Sequence, residues 1–345
     1  MSWLDDYFPD TQTVCVAEIG LNHGGNVDRA CRMIEAAHRA GADAVKFQTI
    51  HPDSLYSVYS TSYSEGTKPI ADTSIIDFFN GCSLSDDDYV RIKQCADKAG
   101  IPFFPTVFDF RGIEMLDRLG VPFFKVASSD ITHLPLIERI AKCGKPVIVS
   151  TGMATHDDIQ AILGICSEIG VMLLHCVSLY PAPENLLHIR TVSELIRTYS
   201  VPTGFSDHSR NEFGYLGAVA CGARMIERHF TDIHGKDVLD DIVSFDEAEF
   251  GEMVRNIRKM EDTLRLRELP VTAEEREMMR LSRRSVYALR DIPEGTVITM
   301  DMLCWKRPEA GIPANQTETV CGARAAVDIQ KDRAITFEML EGVLT

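Results

Sequence analysis

No C-x-x-C pair, no G-x-G-x-x-G and no basic run interleaved with aromatics occurs in these 345 residues. The first absence removes the common zinc-ribbon and dithiol signatures. Ten cysteines are scattered instead, with Cys15, Cys176 and Cys221 inside apolar runs where small buried thiols are expected. The second absence argues against a doubly wound dinucleotide-binding sheet, since Gly24-Gly25 alone is too short a signal. The third, with a formal charge of −16, disfavours a nucleic-acid partner. No run approaches the roughly 18 apolar residues that span a bilayer, and Met1-Ser-Trp-Leu-Asp-Asp6 lacks the basic start and apolar core of a signal peptide. A cytoplasmic, reducing setting without a membrane partner is expected.

What is present is ample material for folding: 45% hydrophobic and 25% charged residues are ordinary for a globular protein. Eight short apolar runs alternate with amphipathic segments: Val14 to Ile19, Ala44 to Gln48, Pro102 to Thr106, Pro122 to Val126, Pro146 to Ser150, Val171 to Cys176, Val201 to Phe205, and Arg224 to His229. Between them lie helical patterns such as 26–40, and 155–169 with Thr155 as N-cap. Strands this apolar must be covered on both faces, which implies parallel pairing, and eight units in about 250 residues predict an α/β fold of the (β/α)₈ TIM-barrel type. The expected catalytic domain is 1–265, followed by a linker over 266–284. Asp291 to Leu303 is echoed by Asp328 to Leu340, so 285–345 is expected to be a small pseudo-symmetric domain.

Barrel active sites form at the C-terminal strand ends, and every exit here is polar. Lys46 and Lys125, with neighbouring hydroxyls, suit a ligand carrying phosphate and carboxylate, the alternative being ion pairs with Glu18 or Asp130. His208 and His229 end adjacent strands seven and eight, so they can converge on a metal that keeps open positions, with Mn, Fe, Co or Zn suited to imidazole and oxygen ligands. His175, in an apolar strand, is expected to be a satisfied core residue. His51, His133, His156, His188 and His234 are expected on the surface without a role.

Ala17-Glu-Ile-Gly-Leu-Asn-His23, Val45-Lys-Phe-Gln-Thr49, Phe124-Lys-Val-Ala-Ser-Ser-Asp130, Ser150-Thr-Gly-Met153, His175-Cys-Val-Ser-Leu-Tyr-Pro-Ala-Pro183, Phe205-Ser-Asp-His208 and Glu227-Arg-His-Phe-Thr231 resemble, in order, the motifs of the sialic acid (N-acetylneuraminate) synthase family. The C-terminal repeat with Trp305-Lys-Arg-Pro308 resembles the antifreeze-like (SAF) β-clip domain of that family, and Ser282-Arg-Arg-Ser285 resembles relatives that make other nonulosonic acids or act in spore-coat polysaccharide synthesis. The resemblance implies condensation of phosphoenolpyruvate with an N-acyl amino-sugar aldehyde. It implies a divalent metal of the Mn²⁺ type (Mg²⁺ or Co²⁺ as alternatives) on His208 and His229, with Glu18 and Asp240 handling protons and water. Lys46, Thr106, Lys125, Ser128, Ser150 and Ser178 would hold phosphoenolpyruvate. Gln48, Tyr180 and Asp240 would face the sugar, and Arg307 would reach its acyl group across a domain-swapped homodimer. The sequence Gly235-Lys-Asp-Val-Leu-Asp-Asp241 departs from the family's Pro-Gly-Pro-Asp run, so either Asp240 or Asp241 fills that acidic position, with Asp240 preferred because Ser244 then keeps its spacing. Other readings are a different metal-dependent barrel aldolase or synthase, and a non-catalytic saccharide-binding paralogue.

Overall fold

The computed structural model describes residues 3–9, 12–57, 75–235, 240–266 and 271–342. The chain divides into two compact units, Met1–Arg265 and Leu266–Thr345. Eight parallel strands close the first into a barrel in sequence order: β1 (Val14–Gly20), β2 (Ala44–Thr49), β3 (Phe103–Val107), β4 (Phe124–Val126), β5 (Val147–Ser150), β6 (Val171–Cys176), β7 (Thr203–Asp207) and β8 (Met225–His229). All eight expected strands are present. The end residues moved by one or two where Pro102, Pro122, Pro146 and Pro202, lacking an N–H, stand just ahead of the ladder.

Helices start where the sequence offers a cap. Asn26 accepts a hydrogen bond from the Arg29 amide, and Thr155 and Asp158 satisfy each other's backbone in a capping box. The apolar faces of the helices pack on the outward side chains of the strands, among them Cys15, Ala17, Val45, Phe47, Phe103, Phe124, Val149, Leu173, Phe205 and Ile226, in one large core. The inward positions, one residue out of phase, form a second apolar layer from Val14, Val16, Ala44, Phe104, Ile148, Met172, Leu174 and Met225. Leu4 and Phe8, on and just after the helix Trp3–Tyr7, join this layer with Phe123. The floor of the barrel is therefore dry packing, and any ligand must enter from the other end.

The cysteine reading holds for Cys15 and Cys176, both buried, whereas Cys221 is half-buried. Cys31 and Cys95 differ: neighbouring helices Val27–Arg39 and Asp86–Ala99 bring their Cα atoms to 5.7 Å, and they form a disulfide. A pair 64 residues apart in sequence is visible only once those helices are neighbours. Among the described residues no helix is long and apolar enough to cross a membrane.

In the second unit, a helix (Ala273–Ser282) occupies most of the stretch expected to be linker, and β9 (Ser285–Ala288) pairs antiparallel with β10 (Leu303–Lys306). The sequence repeat is realised as pseudo-symmetry. Ile292 and Ile329 exchange both backbone hydrogen bonds, the Glu294 and Lys331 amides donate to Asp328 and Asp291 respectively, and Ile298 and Ile335 are both buried.

Candidate active site

Above the apolar floor, the same inward phase of the strands turns polar. Glu18, Lys46, Thr106, Lys125, Ser150, Cys176, Ser206 and Glu227 line a cavity of about 460 Å³, with Gln48 and His229 further along their strands and His208 just past the end of β7. Ser128, Ser178, Tyr180 and Asp240 reach it from the loops after β4, β6 and β8. Every expected site residue of the barrel unit thus lines one cavity. Arg307 is exposed in the small unit, just past β10.

The floor of the site is a row of alternating charges, all buried. Lys46 Nζ lies 2.8 Å from Glu18 Oε2 and 3.8 Å from Glu227 Oε1, and Glu227 Oε2 lies 4.0 Å from Lys125 Nζ. Lys46 also donates to Thr106 Oγ1 at 2.8 Å, and Lys125 to Ser150 Oγ at 2.6 Å. The pairing of Lys46 with Glu18 is one of the two ion pairs considered from sequence. Lys125 turns instead to Ser150 and Glu227, and Asp130 bonds to Ser129. Burial would depress Lys46, but Glu18 and Glu227 hold its pKa above the ordinary value. Burial prevails at Lys125 and lowers it, with Glu227 opposing. Glu227 is one of the polar strand ends, but the sequence assigned it no role. The signal was its phase, because Met225, Glu227 and His229 alternate on the inward face of one strand.

Next to Lys125, Ser128 Oγ accepts the Gly152 amide at 3.0 Å. A Cβ on Gly152 would stand 2.3 Å from Ser178 Oγ and 2.8 Å from Ser128 Oγ, so glycine is what lets these hydroxyls approach. Two ammonium groups, three serine hydroxyls and one threonine hydroxyl in a deep pocket are suited to an anion with several oxygens.

On the opposite side, the rings of His208 and His229 have centroids 5.4 Å apart, and Tyr180 stacks on His208 at 4.1 Å. His208 Nδ1 donates to the Val177 carbonyl at 3.0 Å; burial would lower the pKa of the ring, but Cys176 and this carbonyl raise it to about 9, so Nε2 offers a lone pair only when a cation takes the place of its proton. His229 Nδ1 is buried and makes no aligned hydrogen bond, although Asp240 Oδ2 lies 3.3 Å away. Burial would raise the Asp240 carboxyl, but the His229 and His208 charges and Lys46 hold it below its ordinary range. Asp241, the alternative acid, is turned to the surface and pairs with His234 at 2.8 Å. Glu18 accepts from Gln48 Nε2 at 2.9 Å. Gly20, with φ +52°, lies where a side chain would crowd Asp240, Glu18 and Gln48 at 3.2 to 3.4 Å.

Two buried imidazoles beside a carboxylate held anionic fit a divalent cation that takes the place of the ring protons and keeps open positions. Among the described residues, a tighter trio exists at His234, Asp246 and Glu249, whose ligand atoms lie within 4.8 Å of one another. Those atoms are spent elsewhere, since Asp246 and Glu249 form the capping box of the helix Glu247–Thr263 at an exposed position. His175 is the satisfied core residue expected, with Nε2 on the Leu187 carbonyl at 2.7 Å. His51 is half-buried rather than superficial and bonds to Asp109 at 2.7 Å.

The remaining wall is apolar, with Leu21, Ile50 and Phe79 packed beside Leu55, Tyr56 and Phe108. Asp130 faces the same cavity, and burial raises its carboxyl pKa.

Residues 33–267 match the NeuB family and residues 283–341 the SAF domain. The chain belongs to the NeuB family. An uncharacterized protein of Methanocaldococcus jannaschii is 34% identical to this NeuB-family protein over 96% of its chain and 95% of the relative. N,N'-diacetyllegionaminic acid synthase of Legionella pneumophila is 31% identical over 94% of each chain. The crystal structure of an N-acetylneuraminic acid (sialic acid) synthetase from Leptospira borgpetersenii superposes with a TM-score of 0.70 at 31% identity, covering 78% of this chain and 90% of that one. The NeuB-family barrel and SAF domain are thus the two units described above.

Proposed function

We propose that this NeuB-family protein condenses phosphoenolpyruvate with an N-acyl amino-sugar aldehyde, giving a nonulosonic acid and inorganic phosphate for surface polysaccharide synthesis. The observation that carries it is the division of one cavity into an anion-binding half, Lys46 and Lys125 with Thr106, Ser128, Ser150 and Ser178, and a half suited to a cation, His208 and His229 with Asp240. Synthases of such acids among its relatives support the reaction class.

A divalent ion of the Mn²⁺ type on His208 and His229 would supply positive charge to polarise the aldehyde carbonyl. Lys46 and Lys125 neutralise phosphate and carboxylate, and the serine hydroxyls fix the orientation of the enol so that C3 faces the aldehyde carbon. A carbon–carbon bond then forms from C3, the aldehyde oxygen takes a proton, and C2 becomes electron-poor. Water adds at C2 and loses a proton, after which the C2–oxygen bond to phosphate breaks. Glu18 and Asp240 would exchange these protons; that both stand beside Gly20, with Asp240 next to His229, supports this reading. Gln48 and Tyr180 face the sugar, and Arg307 contributes from the small unit of a partner chain in a domain-swapped homodimer.

The test is release of inorganic phosphate from phosphoenolpyruvate with Mn²⁺ and a panel of amino sugars. Release that requires an aldehyde supports the proposal. No release with any sugar, while saccharide binding persists, would indicate a non-catalytic paralogue.

A further inference from the structure

The outward side chains of the barrel strands are mostly apolar, with one charged rung. Asp207 and Arg228 are register partners at the end of the β7–β8 ladder, and their side chains meet behind it with Nη1 to Oδ2 at 3.0 Å. Both are essentially inaccessible, at 0% and 1% exposure. The contact is a charge pair and not an aligned hydrogen bond, for Arg228 Nε and Nη1 and Asp207 Oδ2 have no partner of good geometry. A buried pair of this kind contributes little net stability compared with apolar side chains of the same volume. Packing alone does not account for it.

The residues that follow each member are His208 and His229. Asp207 Oδ1 accepts the Ser209 amide at 2.8 Å and so shapes the turn around His208. The Arg228 guanidinium lies 3.8 Å from the centre of the Phe245 ring, and the Phe245 amide donates to the His229 carbonyl at 2.8 Å, which fixes the chain around the second imidazole. Gly214 leaves room for the carboxylate, since a Cβ there would stand 2.8 Å from Asp207 Oδ2. We infer that Asp207 and Arg228 are positioning residues, a strut behind the sheet that sets the spacing of the His208 and His229 imidazoles for a divalent cation. The inference rests on the metal site proposed above.

The experiment measures Mn²⁺ affinity by titration calorimetry, and the absorption spectrum of the Co²⁺-loaded protein as a readout of coordination. Asp207→Asn and Arg228→Met should each weaken Mn²⁺ binding by roughly 10- to 100-fold and alter the Co²⁺ bands. Arg228→Lys, which keeps the charge, should recover most of the affinity. Asp43→Asn breaks another ion pair of the barrel, Asp43–Arg258 at 2.8 Å, next to the start of β2. It should lower the melting temperature without changing Mn²⁺ affinity. Should Asp207→Asn fail to fold, the two Arg228 variants carry the comparison. Wild-type affinity and Co²⁺ bands in the strut variants, with binding lost in His208→Ala and His229→Ala, would overturn the inference alone. No Mn²⁺ binding by the wild type, or binding untouched by loss of both histidines, would overturn the metal site and the strut with it.

Discussion

Lys46 Nζ sits 2.8 Å from Glu18 Oε2 with both groups buried, so the ammonium that would receive the substrate anion is also the counter-ion of a carboxylate. Removing the cation leaves that buried carboxylate without its counter-ion. Lys46→Met is therefore expected to cost about 3 kcal/mol of stability, and Lys46→Met with Glu18→Gln to recover a good part of it. Urea unfolding of the three proteins checks this; equal losses in the single and double variants would contradict it.

Lys125 is engaged differently, by Ser150 at 2.6 Å and only distantly by Glu227. Lys125→Met should unfold at a urea concentration closer to that of the wild type than Lys46→Met does. It should raise the KM for phosphoenolpyruvate by roughly 10- to 100-fold, the scale of one lost charge-assisted hydrogen bond. The sugar KM should change far less. Steady-state kinetics with each substrate varied in turn distinguishes the two effects.

Gly152→Ala places a methyl group where Ser178 Oγ and Ser128 Oγ now stand. The hydroxyls must separate, and the expected result is at least a tenfold loss in kcat/KM for phosphoenolpyruvate with a melting temperature within a few degrees of the wild type. Gly164→Ala, where a Cβ meets nothing within 4 Å, serves as the silent control.

Burial, reinforced by the Arg29 charge, lowers the His23 pKa from 6.5 to about 4. Its Nδ1 accepts the Gly25 amide, a bond that only an unprotonated nitrogen can make. Below pH 6.5 the unfolded chain binds a proton here that the folded chain refuses until about pH 4, so stability is lost as pH falls through that window. The contribution is about 3 kcal/mol by pH 4. His23→Asn, which keeps an acceptor, should show a visibly flatter stability profile between pH 6.5 and 4 in denaturant titrations; an unchanged slope would count against the assignment.

Leu4 is fully buried beneath the inward layer of the barrel. Leu4→Ala should cost about 2–5 kcal/mol through the cavity it leaves, while KM for both substrates stays at the wild-type value, because the floor it seals lies below the charged layer. Chemical denaturation and kinetics on the same sample test both halves of this expectation.

Much of the fold was legible because parallel barrel strands are buried on both faces and read as short apolar runs, punctuated by helices with their own caps at Asn26 and Thr155. The site was legible for the same reason. A lysine or glutamate inside an apolar strand has no cheap place to go, so Lys46, Lys125 and Glu18 announce themselves. Glu227 stands among the same polar strand ends, in phase with His229, but its place between Lys46 and Lys125 depends on strands far apart in the chain. The Cys31–Cys95 pair and the helix Ala273–Ser282 were missed, one because it depends on helix neighbours and the other because charged helix formers resemble a linker.

Local chemistry in the sequence, meaning propensity, capping and the two-residue alternation of strand side chains, determined the order of elements, the closed barrel and the list of polar strand ends. Tertiary structure alone decided the partners: Glu18 with Lys46, Lys125 with Ser150, Asp240 and not Asp241 beside His229, and Asp207 with Arg228 behind the imidazoles. Pairing depends on distances between residues far apart in the chain. Those distances exist only after the barrel has closed and fixed the register of its last strands.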